Sequence, residues 1–182
     1  MRIKWNALAE VKQRRFEGMN ELDRFVFFLM KLYGSPYGWG KETTATSDCS
    51  GAVCMALFAA TVLLIRTTAD DLFKRVFTRV NPKADQIRAV FYITKKDRRH
   101  GDRMVAAGTA THIAGILTDG IILNSQEPFA IVRRITDVSD WYQKNGFEVA
   151  VKGLDREALE RLAREGKTVH GLDAEFAKYF VI

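Results

Sequence analysis

The stretch from Cys49 to Ile65 contains no charged residue. It follows the breaker-rich run Gly34-Ser35-Pro36-Tyr37-Gly38-Trp39-Gly40 and ends just before Arg66. An uncharged run of that length must be buried. Val53, Ala56, Leu57 and Ala60 recur on one face, so its first part reads as a helix. It is slightly short for a membrane span and contains Ser50 and Thr61, so it fits a core helix passing into a loop or strand. Ser47 or Asp48 can cap that helix, which places Cys49 in its first turn. There the helix dipole and unpaired N–H groups favour thiolate over thiol. Downstream, His112 opens another apolar segment, where a strand can hold an imidazole beside the sulfur as its base. The pair outlines a cysteine nucleophile with its partner, the chemistry of a hydrolase.

The surrounding pattern is α+β. Leu22, Phe25, Leu29 and Leu32 recur at helical spacing over Asn20 to Leu32, with Gly34 as a stop. Thr68 and Asp71 mark another helix start, leading to about Arg75. Strands are expected at Ala89 to Thr94, Thr111 to Leu117, Ile121 to Ser125, Ala130 to Ile135 and Phe147 to Val151. Two charged helices are expected near Asp155 to Arg164 and Asp173 to Phe180. Helices, then an antiparallel sheet, then helices again make an α+β domain.

A third group must hold the imidazole in its working tautomer. A three-residue hairpin loop over Thr118 to Gly120, with Gly120 left-handed, sets Ala114 opposite Asn124 and His112 opposite Gln126. His112, Asn124 and Gln126 then share a face. A two-residue loop would put Asn124 on the other face. Asn124 and Gln126 both remain candidates.

With these residues the chain resembles the NlpC-type cell-wall peptidases, a branch of the papain-like cysteine peptidases. The family's aromatic loop appears as Tyr37-Gly38-Trp39-Gly40-Lys41, its nucleophile motif as Asp48-Cys49-Ser50-Gly51, and its histidine strand as His112-Ile113-Ala114-Gly115-Ile116. Leu64-Ile65-Arg66-Thr67 is similar to its Leu-Pro-Arg-Thr segment. Lys41, Ile65 and Ala114 depart from the family's glycine, proline and glycine. The strand before the histidine is matched by letters at Gly101-Asp102-Arg103 and by hydrophobicity at Ala89 to Thr94. The second match leaves Lys95 to Ala110 as an inserted basic loop.

The resemblance implies a papain-like fold, with N-terminal helices packed on a central antiparallel sheet and the nucleophile at a helix N-terminus. One domain spans 1–182, with a family-like core over about 20–135 and a C-terminal extension over 136–182. The implied activity is hydrolysis of amide bonds in peptidoglycan stem peptides, of the D-glutamyl–diamino acid endopeptidase type. Cys49, His112 and Asn124 would be catalytic. Tyr37, Trp39, Asp48 and Ser50 would line the substrate site, Asp48 and Ser50 gripping a free amine. No cofactor or metal is implied.

Composition bounds the partners. The 182 residues suffice for one compact domain, and a hydrophobic fraction of 47% with 27% charged is ordinary for a globular protein. The net charge of +6 gathers at Lys12 to Arg15, Lys95 to Arg99 and Arg133-Arg134. Such clusters are solvated surface or attract a polyanion, for which an anionic envelope polymer fits. No nucleic-acid motif and no transmembrane segment is present. Cys49 and Cys54, about 7.5 Å apart in helical rise, cannot pair without distortion. Cys54 reads as a core thiol. His100 and His170 read as surface residues.

The N-terminus lacks a signal-peptide plan, because Glu10, Lys12, Arg14 and Arg15 interrupt any apolar region. A cytoplasmic or phage-associated enzyme acting at the cell wall is therefore expected. An intracellular amide hydrolase or acyltransferase would use the same Cys-His chemistry on another substrate. A silent binding module would not need all three candidate catalytic residues.

Overall fold

The computed structural model describes residues 18–43, 45–100 and 103–165. The expected helix at Asp173 to Phe180, His170, Gly101-Asp102 and the Lys12 to Arg15 cluster lie outside the described residues, as does the N-terminal segment read for a signal.

Helix α1 (Glu21–Lys31) starts where Asn20 accepts the Asp23 N–H at 2.9 Å. This satisfies one of the orphan donors of the first turn. Phe25 and Leu29 fix its buried face. Helix α2 (Cys49–Thr61) is capped by Asp48 and is buried nearly all round rather than on one face. It forms the centre of the molecule. A short helix α3 (Ala69–Asp71), capped by Thr68, runs into a π-helical turn at Leu72–Val76.

The strands are β1 (Arg88–Thr94), β2 (Arg98–His100), β3 (Arg103–Val105), β4 (Ala110–Thr118), β5 (Ile121–Gln126), β6 (Phe129–Arg134) and β7 (Phe147–Gly153). Five of them form an antiparallel sheet in the order β6-β5-β4-β1-β7. β1 pairs directly with β4, the strand carrying His112. The hydrophobic match at Ala89 to Thr94 is therefore the strand beside the histidine. The basic segment after it is not a plain loop, because β2 and β3 pair as a separate hairpin.

Helix α4 (Ile135–Lys144) was not expected. It begins where the strand was expected to end, at Ile135, and returns the chain to β7. Residues 136–153 thus carry most of this helix and the edge strand β7, the latter where a strand was expected at Phe147 to Val151. Helix α5 (Arg156–Glu165) follows and buries Ala158, Leu159 and Leu162.

The sheet is covered on both sides. Ala89, Phe91, Ile93, Ile113 and Leu123 join the cluster built on α1 and α2. Val90, Tyr92, Ala114, Ile116 and Ile122 pack with Val138 and Tyr142 of α4. Alternate residues face opposite sides, so His112, in step with Ala114 and Ile116, lies on the α4 side.

Candidate active site

The N-terminus of α2 is held by a buried charge cluster. Asp48 Oδ1 accepts the Gly51 N–H at 2.6 Å and the Ser50 hydroxyl at 2.9 Å. Its Oδ2 accepts the Gly40 N–H at 2.9 Å and Arg66 Nη2 at 2.7 Å. Arg66 Nη1 donates to Ser50 Oγ at 2.9 Å and to the Thr67 carbonyl at 3.0 Å. Its Nε lies 3.2 Å from Glu42 Oε2. That last contact is ionic proximity without hydrogen-bond alignment, since the oxygen has no hydrogen-bond partner. Burial pushes the Glu42 carboxyl up to about 8, against the pull of Arg66.

Asp48 and Ser50 thus have internal partners, and neither was expected to rely on Arg66. The grip on a free amine expected of them would need atoms already engaged. Gly51 is required for a different reason. A Cβ there would stand 2.4 Å from the Lys41 carbonyl oxygen, a backbone atom that cannot rotate away.

Cys49 is 8% exposed and Cys54 fully buried. Burial pushes the Cys49 thiol up to about 12, and the Asp48 charge adds to this. The N–H groups of Ile113 and Ser50 donate to the sulfur and oppose the shift, as does Arg66. Desolvation thus opposes the thiolate expected from the helix dipole. The Ile113 contact sets the sulfur against β4, next to His112.

His112 is 7% exposed, and its Nε2 lies 2.7 Å from Asn124 Oδ1. Burial lowers its basicity, while Asn124 and then Asp48 raise it. Asn124 Nδ2 donates to Gln126 Oε1 at 2.8 Å. The three side chains share one face, and between the two rival polar residues the imidazole is bonded to Asn124.

The register reaches this face by a route different from the one expected. The turn is Asp119-Gly120, with Gly120 at φ 81°. Thr118 pairs with Ile121 and Ile116 with Ile122, so Leu117 is an extra residue in β4. That bulge supplies the offset a three-residue loop would have supplied. A second irregularity falls just before His112, where Tyr92 pairs with His112 but Ile93 pairs with Ala110. Ser125, pointing to the other face, donates to the Ser47 carbonyl at 3.2 Å and ties β5 to the residue preceding the Asp48 cap.

Tyr142 was missed from the sequence. Its ring lies 5.6 Å from the His112 ring at 13° and 3.9 Å from Tyr92 at 21°. Its hydroxyl is made a weaker acid by burial and by the nearby Cys49, Tyr92 and Tyr37 charges. Tyr37 is half-buried, and burial followed by Cys49 and Asp48 raises its pKa too. Both rings therefore line the surroundings of the sulfur. Trp39 stands at the surface, 68% exposed. Lys95, Lys96 and Arg99 are exposed, whereas Arg98 lies 4.3 Å over the Phe147 ring. Among the described residues no group of His, Cys, Asp and Glu could hold a metal ion, and no helix is long and apolar enough to cross a membrane.

Comparison with solved structures places the fold. The chain aligns with NlpC1 and NlpC2 of Trichomonas vaginalis at 17% and 15% identity, with TM-scores of 0.51 and 0.52. Each alignment covers 75% of this chain, and 45% and 47% of those chains respectively. A Staphylococcus aureus protein described as similar to lipoprotein, NLP/P60 family, aligns at 16% identity and a TM-score of 0.55, over 74% of this chain and 41% of that one. The chain thus spans less than half the length of these solved relatives. No curated protein matched it. The model of the NlpC/P60 family matches residues 34–150, from the aromatic loop through β7. The chain belongs to the NlpC/P60 family.

Proposed function

We propose that this chain is a cell-wall cysteine peptidase that hydrolyses amide bonds in peptidoglycan stem peptides, of the D-glutamyl–diamino acid endopeptidase type. The observation that carries this reading is the 2.7 Å bond between His112 Nε2 and Asn124 Oδ1, on the strand whose next residue, Ile113, donates its N–H to Cys49 at the first turn of α2. Burial disfavours the imidazolium and pushes the thiol up to about 12. His112 therefore acts as a base when substrate is present, not as a standing imidazolium.

In the first step the Cys49 proton passes to His112 as sulfur attacks the carbonyl carbon. The backbone N–H of Cys49 helps stabilise the oxyanion. The imidazolium then protonates the leaving amine and the C–N bond breaks, leaving a thioester. Water, deprotonated by His112, releases the acid and restores the thiol. Asn124 holds the imidazole orientation throughout, and Arg66 holds the Asp48 cap that sets the cysteine. Tyr37 and Trp39 border the substrate path. The exposed Lys95 and Lys96 support contact with anionic envelope polymers.

Mass analysis of purified peptidoglycan digested with the protein tests this reading. The expected result is a new free amine at one defined stem position, lost in Cys49→Ala. Failure of the parent on peptidoglycan from several bacteria would overturn the cell-wall substrate and favour an intracellular amide hydrolase or acyltransferase.

A further inference from the structure

A cavity of about 230 Å³ opens between α4 and the β5–β6 edge, lined in part by Asn124, Gln126, Arg133, Asp137, Trp141 and Tyr142. Its position follows from register. Asn124 pairs with Ile131 and Ile122 with Arg133, so Arg133 lies on the same face as Asn124. On α4, Asp137 and Trp141 are one helical turn apart, as are Val138 and Tyr142. Val138 and Tyr142 pack on the sheet, which leaves Asp137 and Trp141 overhanging β6.

Two opposite charges stand at the exposed rim of this cavity. The Arg133 side chain forms no hydrogen bond or ion pair among the described residues, although Asp137 lines the same space. Among the described residues the Asp137 carboxylate accepts only the neighbouring Thr136 hydroxyl, at 3.3 Å. A guanidinium and a carboxylate therefore face one space without pairing. Trp141, exposed beside them, offers an apolar wall. Gln126 Oε1 is engaged by Asn124, so the cavity adjoins the hydrogen-bond chain that reaches His112. The volume lies below the roughly 300–1,000 Å³ of whole-ligand pockets. It suits one end of a larger molecule.

We infer that this cavity is a subsite for a dipolar group bearing an ammonium and a carboxylate on one carbon, with the carboxylate at Arg133 and the ammonium at Asp137. An arginine fork binds a carboxylate through two parallel hydrogen bonds. The aliphatic stem of the group lies against Trp141. Assigning this group to the peptide that Cys49 cleaves rests on the peptidase reading above; the binding chemistry does not.

Three probes with a common tail separate the charges: norleucine carries both, hexanoate only the carboxylate, and pentylamine only the ammonium. The full chain, labelled with ¹⁵N, is titrated with each, following the Trp141 indole N–H, which is identified by its loss in Trp141→Phe. The expected result is saturable binding of norleucine at least tenfold tighter than either single-charge probe. Arg133→Gln should reduce norleucine to the level of pentylamine, and Asp137→Asn to that of hexanoate. No saturable shift with norleucine, or equal affinity for all three probes, overturns the subsite. Equal norleucine binding by parent and both variants does so as well. Alkylation of Cys49 and the peptidoglycan digest are read on the same samples. A reactive, wall-cleaving protein that ignores norleucine loses the subsite and keeps the peptidase. A protein that binds norleucine but cleaves no wall keeps the subsite and loses its substrate.

Discussion

Replacing Arg66 with alanine should be among the most damaging single changes in the chain. The guanidinium is 3% exposed and touches Asp48, Ser50, the Thr67 carbonyl and Glu42 at 2.7–3.2 Å. Removing one partner of a buried ion pair leaves an uncompensated charge and costs about 3–5 kcal/mol. At roughly 2–4 °C per kcal/mol for a chain of this size, the midpoint should fall by about 6–20 °C. The loss should depend on pH. Glu42 has a folded pKa of about 8, above its unfolded value of 4.5. Its contribution is therefore full below about 4.5 and is lost as pH rises through about 8. Without Arg66 that pKa can only rise further, so the gap between variant and parent should widen from pH 6 to pH 9. Arg66→Lys should recover only part, because an ammonium cannot span three acceptors and reach Glu42 as a planar fork does. Thermal melts across pH 6–9, with Cys49 alkylation as a report on the site, decide the matter. A variant melting within about 2 °C of the parent at every pH would refute the view that this cluster holds the α2 N-terminus.

Other perturbations test separate parts of the argument. Cys49 alkylation should keep climbing with pH beyond pH 9, since burial holds the thiol near 12; a plateau near pH 7 would mean a preformed thiolate. Asn124→Ala should lower kcat about tenfold with little change in KM, the worth of one hydrogen bond of roughly 1–1.5 kcal/mol; an unchanged kcat would remove Asn124 from the site. Val62 ends α2 at φ 62°, where a β-branched residue is strained. Val62→Gly should therefore raise the midpoint by a few degrees, about 1 kcal/mol of relief against the added backbone entropy, and a lower midpoint would contradict the strain. Gly51→Ala should cost about 1–3 kcal/mol by overpacking against the Lys41 carbonyl, which urea unfolding would measure.

Local chemistry made much of this architecture readable. Asn20 and Asp48 each cap the helix that follows, and Gly120 marks the hairpin, because those signals act within a few residues. Helix α4 carried no such signal. Ile135–Lys144 contains Thr136, Asp137, Ser139 and Asp140, all weak helix formers, and no side chain caps its start. Packing of Val138 and Tyr142 on the sheet decides its state, and with it the stacking of Tyr142 on His112. Arg66 was visible as a letter in a motif, but its role was not, because its side-chain partners Asp48 and Ser50 lie 18 and 16 residues away. The desolvation that opposes a Cys49 thiolate is hidden for a related reason. A helix dipole can be inferred from a cap, whereas desolvation requires knowing what lies on top.

The bulge at Leu117 changes how this chain tolerates a gap. Deleting a residue from a strand ordinarily turns every later side chain to the wrong face. Here Leu117 is the surplus residue between Ile116, which pairs with Ile122, and Thr118, which pairs with Ile121. Its deletion would make the ladder regular and close the hairpin on the two residues Asp119-Gly120, a pair well suited to such a turn. Ile116 would still meet Ile122, and His112 would still share a face with Asn124. A homologue one residue shorter at this point can thus keep the same constellation, and an alignment that moved the gap to either side would misplace it.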